Sequence, residues 1–413
     1  MVRGVFSCVI LLLFGYTSSF SLEGFDFSSL HPADFKVVVK KVGQGSCSIL
    51  RNQFNGETVI IDAGSSSNTP FGLEERIAEE LGEASVSSDL PSFAGKITMV
   101  ISHTDQDHIN YFHRVFGKNS KLFNRVSRVF LGDHLANYYK STEAKTFLRS
   151  VVGNLRDPSS QAISLSHSTP ITPEIISAEE EDDSLFTDAS YRGYQEHFSI
   201  DSFLDPSQRR EARFLELLSM NAGADTKHLR NENANSCIVR LSIHGQNILV
   251  MGDATGLTTR RVLLNPKNRE HLETALLIAS HHGAKEHETN NGLWLSTIKP
   301  KRVVVSAGYR DKWFHPRAEF IMDLMIVDSL QKQKSDLPEN QDPHDFSLSG
   351  DEENTKFYID SLTPYMIFKS PHPKEKRWLV FQSEKAIYGT ASSGDITHVY
   401  NHLGQLVDFY REN

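Results

Sequence analysis

Within the six residues His103-Thr104-Asp105-Gln106-Asp107-His108 stand four side chains able to bind a cation, two imidazoles and two carboxylates. They follow directly on Ile97 to Ser102, a continuous apolar run of the kind a buried strand shows. Crowding so many ionisable groups at the end of a buried strand is costly unless each charge is paired or neutralised. A bound divalent metal ion would do this. An exposed polar turn would also tolerate such residues, but it would not explain three further clusters, each just beyond an apolar run: Asp253 in Gly252-Asp253-Ala254, then His281-His282-Gly283, then His315 in Phe314-His315-Pro316. Singly each is ordinary, since a lone His is usually structural and a Gly-Asp pair usually a turn. Together and in this order they describe a metal centre built from loops at strand ends, where a rigid sheet fixes the ligands and leaves coordination positions open to water.

The elements that must hold these loops can be read from periodicity. Phe35 to Val42, Ser46 to Arg51 and Thr58 to Asp62 read as a β-meander closing in Ala63-Gly64, and Leu73 to Leu81 as an amphipathic helix. Ile109 to Phe116 reads as a short helix and Val126 to Leu131 as a strand ending at Gly132-Asp133-His134. From about 136 to 230 the periodicity weakens around Pro158, Pro170, Pro173 and the acidic run Glu179 to Asp183, which reads as a solvated loop within an insertion. Cys237 to Ile243 and Ile248 to Met251, turning at His244-Gly245-Gln246, form a hairpin. Strand-like runs at Ala275 to Ala279 and Val303 to Ser306, a helix from about Ala318 to Leu330, a polar loop at about 331 to 355 and strand character from Met366 to Val407 complete the chain. Strands and helices recur in both halves, which predicts an α/β architecture of two sheets between helical layers.

Taken in series, Val42-Gly43-Gln44-Gly45, Asp62-Ala63-Gly64, Ser102 to His108, Asn235-Ser236, Gly252-Asp253, Ser280 to Lys285, Ser306-Ala307-Gly308 and His315-Pro316 resemble the metallo-β-lactamase-fold domain of ComEC-type DNA-uptake proteins and their free-standing relatives. The similarity runs in family order from about Phe35 to Arg317, and the domain so implied extends over 35–413. The resemblance implies an αββα sandwich of two mixed sheets and two divalent metal ions, zinc or manganese. His103 and Asp105 would bind one ion, Asp107 and His108 the second, and Asp253 would bridge them. His282, with His281 as the alternative, would be the remaining ligand of the second ion. Asp107 and His315 are the residues expected to carry chemistry, His315 as a general acid or a phosphate-binding group. Two departures matter. The broader superfamily has His where this chain, like the ComEC-like branch, has Asp105, which makes the site richer in oxygen and keeps manganese beside zinc. The third histidine of the first metal position has no clear counterpart among Asn231, Glu232, Asn233 and Asn235. In addition, Asn110-Tyr111 replaces a small Gly pair.

Two divalent ions a few ångströms apart generate hydroxide near neutral pH and stabilise both oxygens of a displacement, which suits phosphodiester cleavage. Lys285, Arg310, Lys312 and Arg317 stand near the motif loops and could pair with phosphate. A nucleic-acid substrate is weighed against the charge: 43 Lys and Arg face 52 Asp and Glu, without the positive field or interleaved aromatic stripe that polyanion binding uses. The alternatives are hydrolysis of a smaller ester, thioester, lactone or amide, and a non-catalytic binding protein on the same fold. Arg3, the apolar run Val5 to Phe14 and Ser19-Phe20-Ser21 have the order of a secretory signal peptide over residues 1–21, so a secreted or periplasmic protein without stable membrane association is expected. The remaining chain carries a formal charge of −10, 42 bases against 52 acids. Cys47 and Cys237 could pair in an exported chain or lie buried as free thiols.

Overall fold

The computed structural model describes residues 35–53, 56–83, 95–118, 120–133, 135–138, 141–149, 174–177, 197–198, 213–219, 232–243, 245–265, 272–308, 313, 315–335, 366–372, 377–383, 386–401 and 403–412. The expectations placed on residues 1–21, His134, Arg310, Lys312 and 336–355 fall outside these, as does most of 136–230.

The predicted meander forms as β1 (Phe35–Val39), β2 (Ser48–Asn52) and β3 (Thr58–Ile61), paired antiparallel in sequence order. Parallel to β3 follow β4 (Ile97–Ile101), β5 (Val126–Leu131) and β6 (Glu174–Ser177). Two late strands, β16 (Asp395–Tyr400) and β17 (Leu406–Glu412), close this sheet on the far side of β1. The second sheet begins with β7 (His197–Phe198), β8 (Arg213–Ser219) and the hairpin of β9 (Ile238–Ile243) and β10 (Gln246–Val250). It continues in parallel through β11 (Thr274–Ile278), β12 (Arg302–Val305) and β15 (Ala386–Gly389). A separate ribbon pairs β13 (Met366–His372) with β14 (Arg377–Ser383).

Alternation along the strands places the core. Val100 of β4 points into one apolar cluster with Val37, Ile61, Val239, Val250 and Ile278, so that cluster lies between the sheets. Its neighbours Met99 and Ile101 point the other way, onto Leu73, Phe112, Phe116 and Phe147, which belong to the helices Leu73–Ala78, Phe112–Lys118 and Thr142–Phe147. On the far side of the second sheet, Leu249, Leu277 and Val303 meet Val262, Trp294 and Phe320 of the helices Gly256–Leu264, Gly292–Ile298 and Ala318–Ser335. This is the predicted sandwich of two mixed sheets between helical layers, and β4 reads as a continuous apolar run because both of its faces are buried. Burying one such side chain is worth about 1.5–3 kcal/mol, so a charge at Val100 would disrupt the layer between the sheets.

Three local readings need correction. The helix expected over Ile109 to Phe116 is two pieces, Gln106–Ile109 and Phe112–Lys118, because the ligand loop itself makes a helical turn. The helix expected from Ala318 to Leu330 begins there but runs on to Ser335, so the first five residues of the polar segment are helical. The stretch 136–230 supplies β6, β7 and β8 to the two sheets and the helix Thr142–Phe147 to an outer layer. Cys47 and Cys237 are buried free thiols.

Candidate metal centre

Each ligand-bearing loop leaves the carboxyl end of a strand in the parallel part of a sheet. Asp62 follows β3, His103 to His108 follow β4, Asp253 follows β10, His281 and His282 follow β11, and Ser306 and His315 follow β12. Loops beyond the carboxyl ends of parallel strands form the crevice in which α/β proteins bind ligands.

The backbone holds the first loop tightly. Ser46 N–H donates to the Asp107 carbonyl at 3.0 Å, Ala63 N–H to the His108 carbonyl at 2.8 Å, and Tyr111 N–H to the Ala63 carbonyl at 2.8 Å. Gly64 lies so close that a Cβ there would stand 2.2 Å from the Asp107 carbonyl carbon. On the opposite side, Gly252 has φ +51° and a Cβ would stand 2.6 Å from Cβ of Ser102, so both loops close on the site only where a side chain is missing.

Asp253 is the centre of the arrangement. Its Oδ1 lies 3.0 Å from His108 Nε2 and 3.8 Å from His282 Nε2. Its Oδ2 lies 3.9 Å from His103 Nε2 and 3.6 Å from His281 Nε2. Asp105 Oδ2 stands 3.3 Å from His103 Nε2, and Asp107 Oδ2 stands 3.4 Å from His282 Nε2. Two groups gather ligand atoms closely enough for one ion each: His103, His108 and Asp253, and Asp107, His108 and His282.

The residues around these ligands fix which ring nitrogen faces inward. Asp62 Oδ2 accepts from His108 Nδ1 at 2.7 Å, while its two oxygens also take the Ser102 backbone N–H and hydroxyl, each at 2.7 Å. The Ser306 carbonyl accepts from His282 Nδ1 at 2.7 Å. His103 Nδ1 lies 2.9 Å from the Ser102 hydroxyl and 3.3 Å from that of Ser236. Each of these contacts turns Nε2 toward Asp253. The buried atoms His103 Nε2, His108 Nε2, His282 Nε2 and Asp253 Oδ1 then have no hydrogen-bond partner, for even the 3.0 Å approach of His108 to Asp253 lacks hydrogen-bond geometry. Four unsatisfied buried lone pairs converging on one place fit a cation and little else.

The electrostatics agree. Burial disfavours the charged forms of His108, His103 and His282, yet nearby carboxylates, Asp253 chief among them for His108 and His282 and Asp105 for His103, raise all three above the usual histidine range. Burial pushes Asp105 upward, and His103 overcomes it to hold that carboxyl at about 2. Asp253 falls well below the usual range against its own burial, through His108, His281 and His282. Burial holds His281 down at about 4, Asp253 opposing and His282, His315 and His103 adding to it, so that ring is a neutral electron-pair donor near pH 7. His315 is likewise lowered, chiefly by burial, with Glu286 opposing.

Two face-to-face mixed sheets with helices outside, and this ligand series in chain order at one edge, decide the architecture. The chain has the metallo-β-lactamase fold. No protein-family model matches it. Competence protein ComA of Neisseria gonorrhoeae is 27% identical over 122 residues, which cover 28% of this chain and 17% of that protein, so the match spans about a sixth of that relative's length. Among solved structures, the short form of human tRNase Z aligns with 67% of this chain and 93% of its own, at 16% identity and a TM-score of 0.35. A diphosphatase of the PhnP family aligns with 67% and 87%, at 12% identity and a TM-score of 0.30.

Within the metallo-β-lactamase fold of this chain, all seven residues expected to bind metal are brought together. Among the described residues, the segment before Ser236 brings no ligand to the first position. Asn235 Nδ2 donates to Asp133 Oδ1 at 2.8 Å, and Ser236 supports the site from behind by accepting the Asp253 N–H at 3.1 Å. His315 sits on the same wall, its ring centroid 5.4 Å from that of His281 and 6.1 Å from that of His282. Lys285 and Arg317 are not free phosphate donors: Lys285 Nζ pairs with Asp323 at 2.6 Å, and Arg317 pairs with Glu286. Asn110 turns away from the cleft to accept the Ser65 N–H and donate to the Ser65 carbonyl, and Tyr111 is buried against the outer helices. Sequence reasoning gave no role to Asp62, the residue that orients His108. Its signals were its place at the end of a strand and the membership of Asp62-Ala63-Gly64 in the motif series.

Proposed function

We propose that this protein is an exported metal-dependent hydrolase that cleaves phosphodiester bonds. One observation carries the reading: His103, His108, His282 and Asp253 direct unpartnered buried atoms at a common point, with Asp105 and Asp107 beside them. Divalent ions held by these residues, zinc or manganese given the mixed nitrogen and oxygen donors, would lower the pKa of water and polarise the scissile phosphoryl group. The chain's own residues do the rest. Asp62, Ser102 and the Ser306 carbonyl fix the rings, so the donor atoms need not reorganise when the ligand set fills. His315, 8% exposed and facing Glu286 instead of Asp253, would hold or protonate the leaving oxygen.

The resemblance of the motif series to the metallo-β-lactamase-fold domain of DNA-uptake proteins supports a phosphodiester substrate, and part of the chain is similar to a competence protein. A second reading, hydrolysis of a smaller ester, thioester, lactone or amide, is favoured by the engagement of Lys285 and Arg317 with Asp323 and Glu286, which removes two cations that a long polyanion would use. Export rests on the signal-like order of residues 1–21, and no helix among the described residues is long and apolar enough to cross a membrane. The deciding experiment is metal quantification of the purified protein paired with hydrolysis of a generic phosphodiester, single-stranded and duplex nucleic acid, and a panel of thioesters and lactones. Tightly held metal with phosphodiester turnover supports the proposal. Metal with turnover of thioesters or lactones alone moves the reading to the smaller substrates, and a protein that takes up no metal overturns it.

A further inference from the structure

Resting on the reading of the site as a dimetal centre, we infer that His281 completes the first metal position, where the superfamily uses a histidine from the segment before Ser236, and that this position is the weaker of the two. The division of Asp253 between its oxygens carries the argument. Oδ1 faces His108 and His282, which with Asp107 make the second position, so the single Nε2 lone pair of His108, common to both close groups, goes to that ion and leaves the first position short of a ligand. Oδ2 faces His103 and His281, and Asp105 lies against His103 from the other side. The two adjacent histidines therefore serve opposite oxygens of one carboxylate, instead of competing for a single ion.

The backbone is built to achieve this. His281 and His282 have φ of +47° and +54°, a left-handed conformation that residues other than glycine seldom adopt. The turn is clamped in that shape: His281 N–H donates to the Gly252 carbonyl at 2.9 Å, and buried Asn290 bonds the Ser280 carbonyl at 2.8 Å and the Ala284 carbonyl at 3.0 Å. The rings of the pair stand nearly perpendicular, 68° apart. The segment that would otherwise supply the histidine is committed elsewhere, Asn235 to Asp133 and Ser236 to Asp253.

The inequality follows from the outer contacts. His108 and His282 each donate Nδ1–H to a fixed oxygen, whereas His281 Nδ1 is buried without a hydrogen-bond partner. Such contacts raise ligand basicity and lock the ring, and their loss typically lowers metal affinity by about 10- to 100-fold. The side chain of Asp105 is also 39% exposed, against 20% for Asp107, so water competes more readily at the first position.

The test uses full-length protein stripped by a chelator and titrated with Mn²⁺, followed by calorimetry, by metal content after gel filtration and by electron paramagnetic resonance. Wild type should bind two ions of unequal affinity and show the spectrum of a coupled pair. The informative variant is His281→Asn, because Asn tolerates the left-handed backbone, with folding checked by circular dichroism. It should lose the weaker ion, keep the tighter one and show an isolated-ion spectrum, while His282→Ala should lose the tighter one. Two ions retained in folded His281→Asn, both ions lost from it, or a wild type that binds one ion would each overturn this inference. Two ions retained leaves the hydrolase reading intact, whereas a wild type that binds no ion overturns both.

Discussion

Asp62 Oδ2 lies 2.7 Å from His108 Nδ1, and both side chains are fully buried. The residues are 46 apart in sequence, joined because β3 and β4 run parallel and end side by side. With Nδ1–H donated to Asp62, the His108 lone pair can only be on Nε2, the atom that faces Asp253. Replacing Asp62 with Asn removes the acceptor charge at nearly constant volume and should weaken metal binding about 10- to 100-fold. Calorimetric titration would show it, and unchanged affinity would reduce Asp62 to a structural role.

Asp107 and His282 approach within 3.4 Å at the more enclosed end of the centre. Asp107→Ala should therefore strip the second position and abolish turnover together, and the same holds for His282→Ala. Metal content by mass spectrometry is the check: full occupancy in either variant would remove that residue from the ligand set.

The sandwich was legible because period-two and continuous apolar runs are local properties, and the ligand loop was legible because four donors crowd into six residues, a density that solvated turns seldom reach. What the sequence hid is long-range. The pairing of β16 with β1 joins residues such as Phe35 and Tyr400 that no local pattern connects. The commitment of Lys285 to Asp323 and of Arg317 to Glu286 depends on which faces the helix Ala318–Ser335 and the turn after β11 present to one another. The role of Asp62 was hidden for a related reason: an aspartate ending a strand is usually a turn residue, and only the neighbouring strand reveals the imidazole it holds.

Gly64 offers a test of the backbone cradle. A methyl group there would meet the carbonyl carbon of Asp107 at 2.2 Å and the backbone nitrogen of His108 at 2.3 Å, atoms that cannot swing aside as a flexible side chain could. Gly64→Ala should displace the ligand loop, cost about 1–3 kcal/mol of stability and weaken metal binding. Gly117→Ala is the control. Nothing lies within 4 Å of that position in the helix Phe112–Lys118, so the change should stabilise by roughly 0.5–1 kcal/mol and leave metal binding untouched. Equal behaviour of the two variants in thermal melts would refute the crowding argument.

Outside the ligand cluster, Asp395 carries a prediction about acid stability. Its carboxylate pairs with Lys40 at 2.6 Å and Arg76 at 2.5 Å and accepts the Lys41 N–H at 2.6 Å. Burial would raise its pKa, but Lys40, Lys41 and Arg76 together lower it below the ordinary aspartate range. A carboxyl depressed in the folded state adds stability above its unfolded pKa and loses it as pH falls through the folded value. Melting temperature should therefore drop between roughly pH 5 and pH 1, and the drop should be shallower in Asp395→Asn. Truncation to Ala leaves Lys40 buried and unpaired and should cost about 3–5 kcal/mol near neutral pH. Parallel pH profiles for wild type and Asp395→Asn would rule out this linkage.

The last prediction separates metal binding from chemistry. His315 follows β12, and its ring forms a wall with those of His281 and His282, yet the carboxylate it approaches is Glu286, whereas His281 and His282 approach Asp253. Its Nε2 is 3.8 Å from Glu286 Oε2, too far for a hydrogen bond, and its Nδ1 is buried without a hydrogen-bond partner. A capping role is excluded by position, because the next helix begins at Ala318 and Arg317 N–H already bonds the Gly283 carbonyl at 2.9 Å. An imidazole so placed can give a proton to a leaving oxygen or hold a phosphoryl oxygen, a contribution on the order of 10²–10⁴-fold in rate. His315→Ala should depress turnover by that order while metal stoichiometry and melting temperature stay near wild type. An activated substrate with a good leaving group, which needs no proton, should recover much of the lost rate if His315 acts as an acid, and little if it binds phosphate. Loss of an ion in His315→Ala, or turnover close to wild type on every substrate, would take His315 out of the catalytic set.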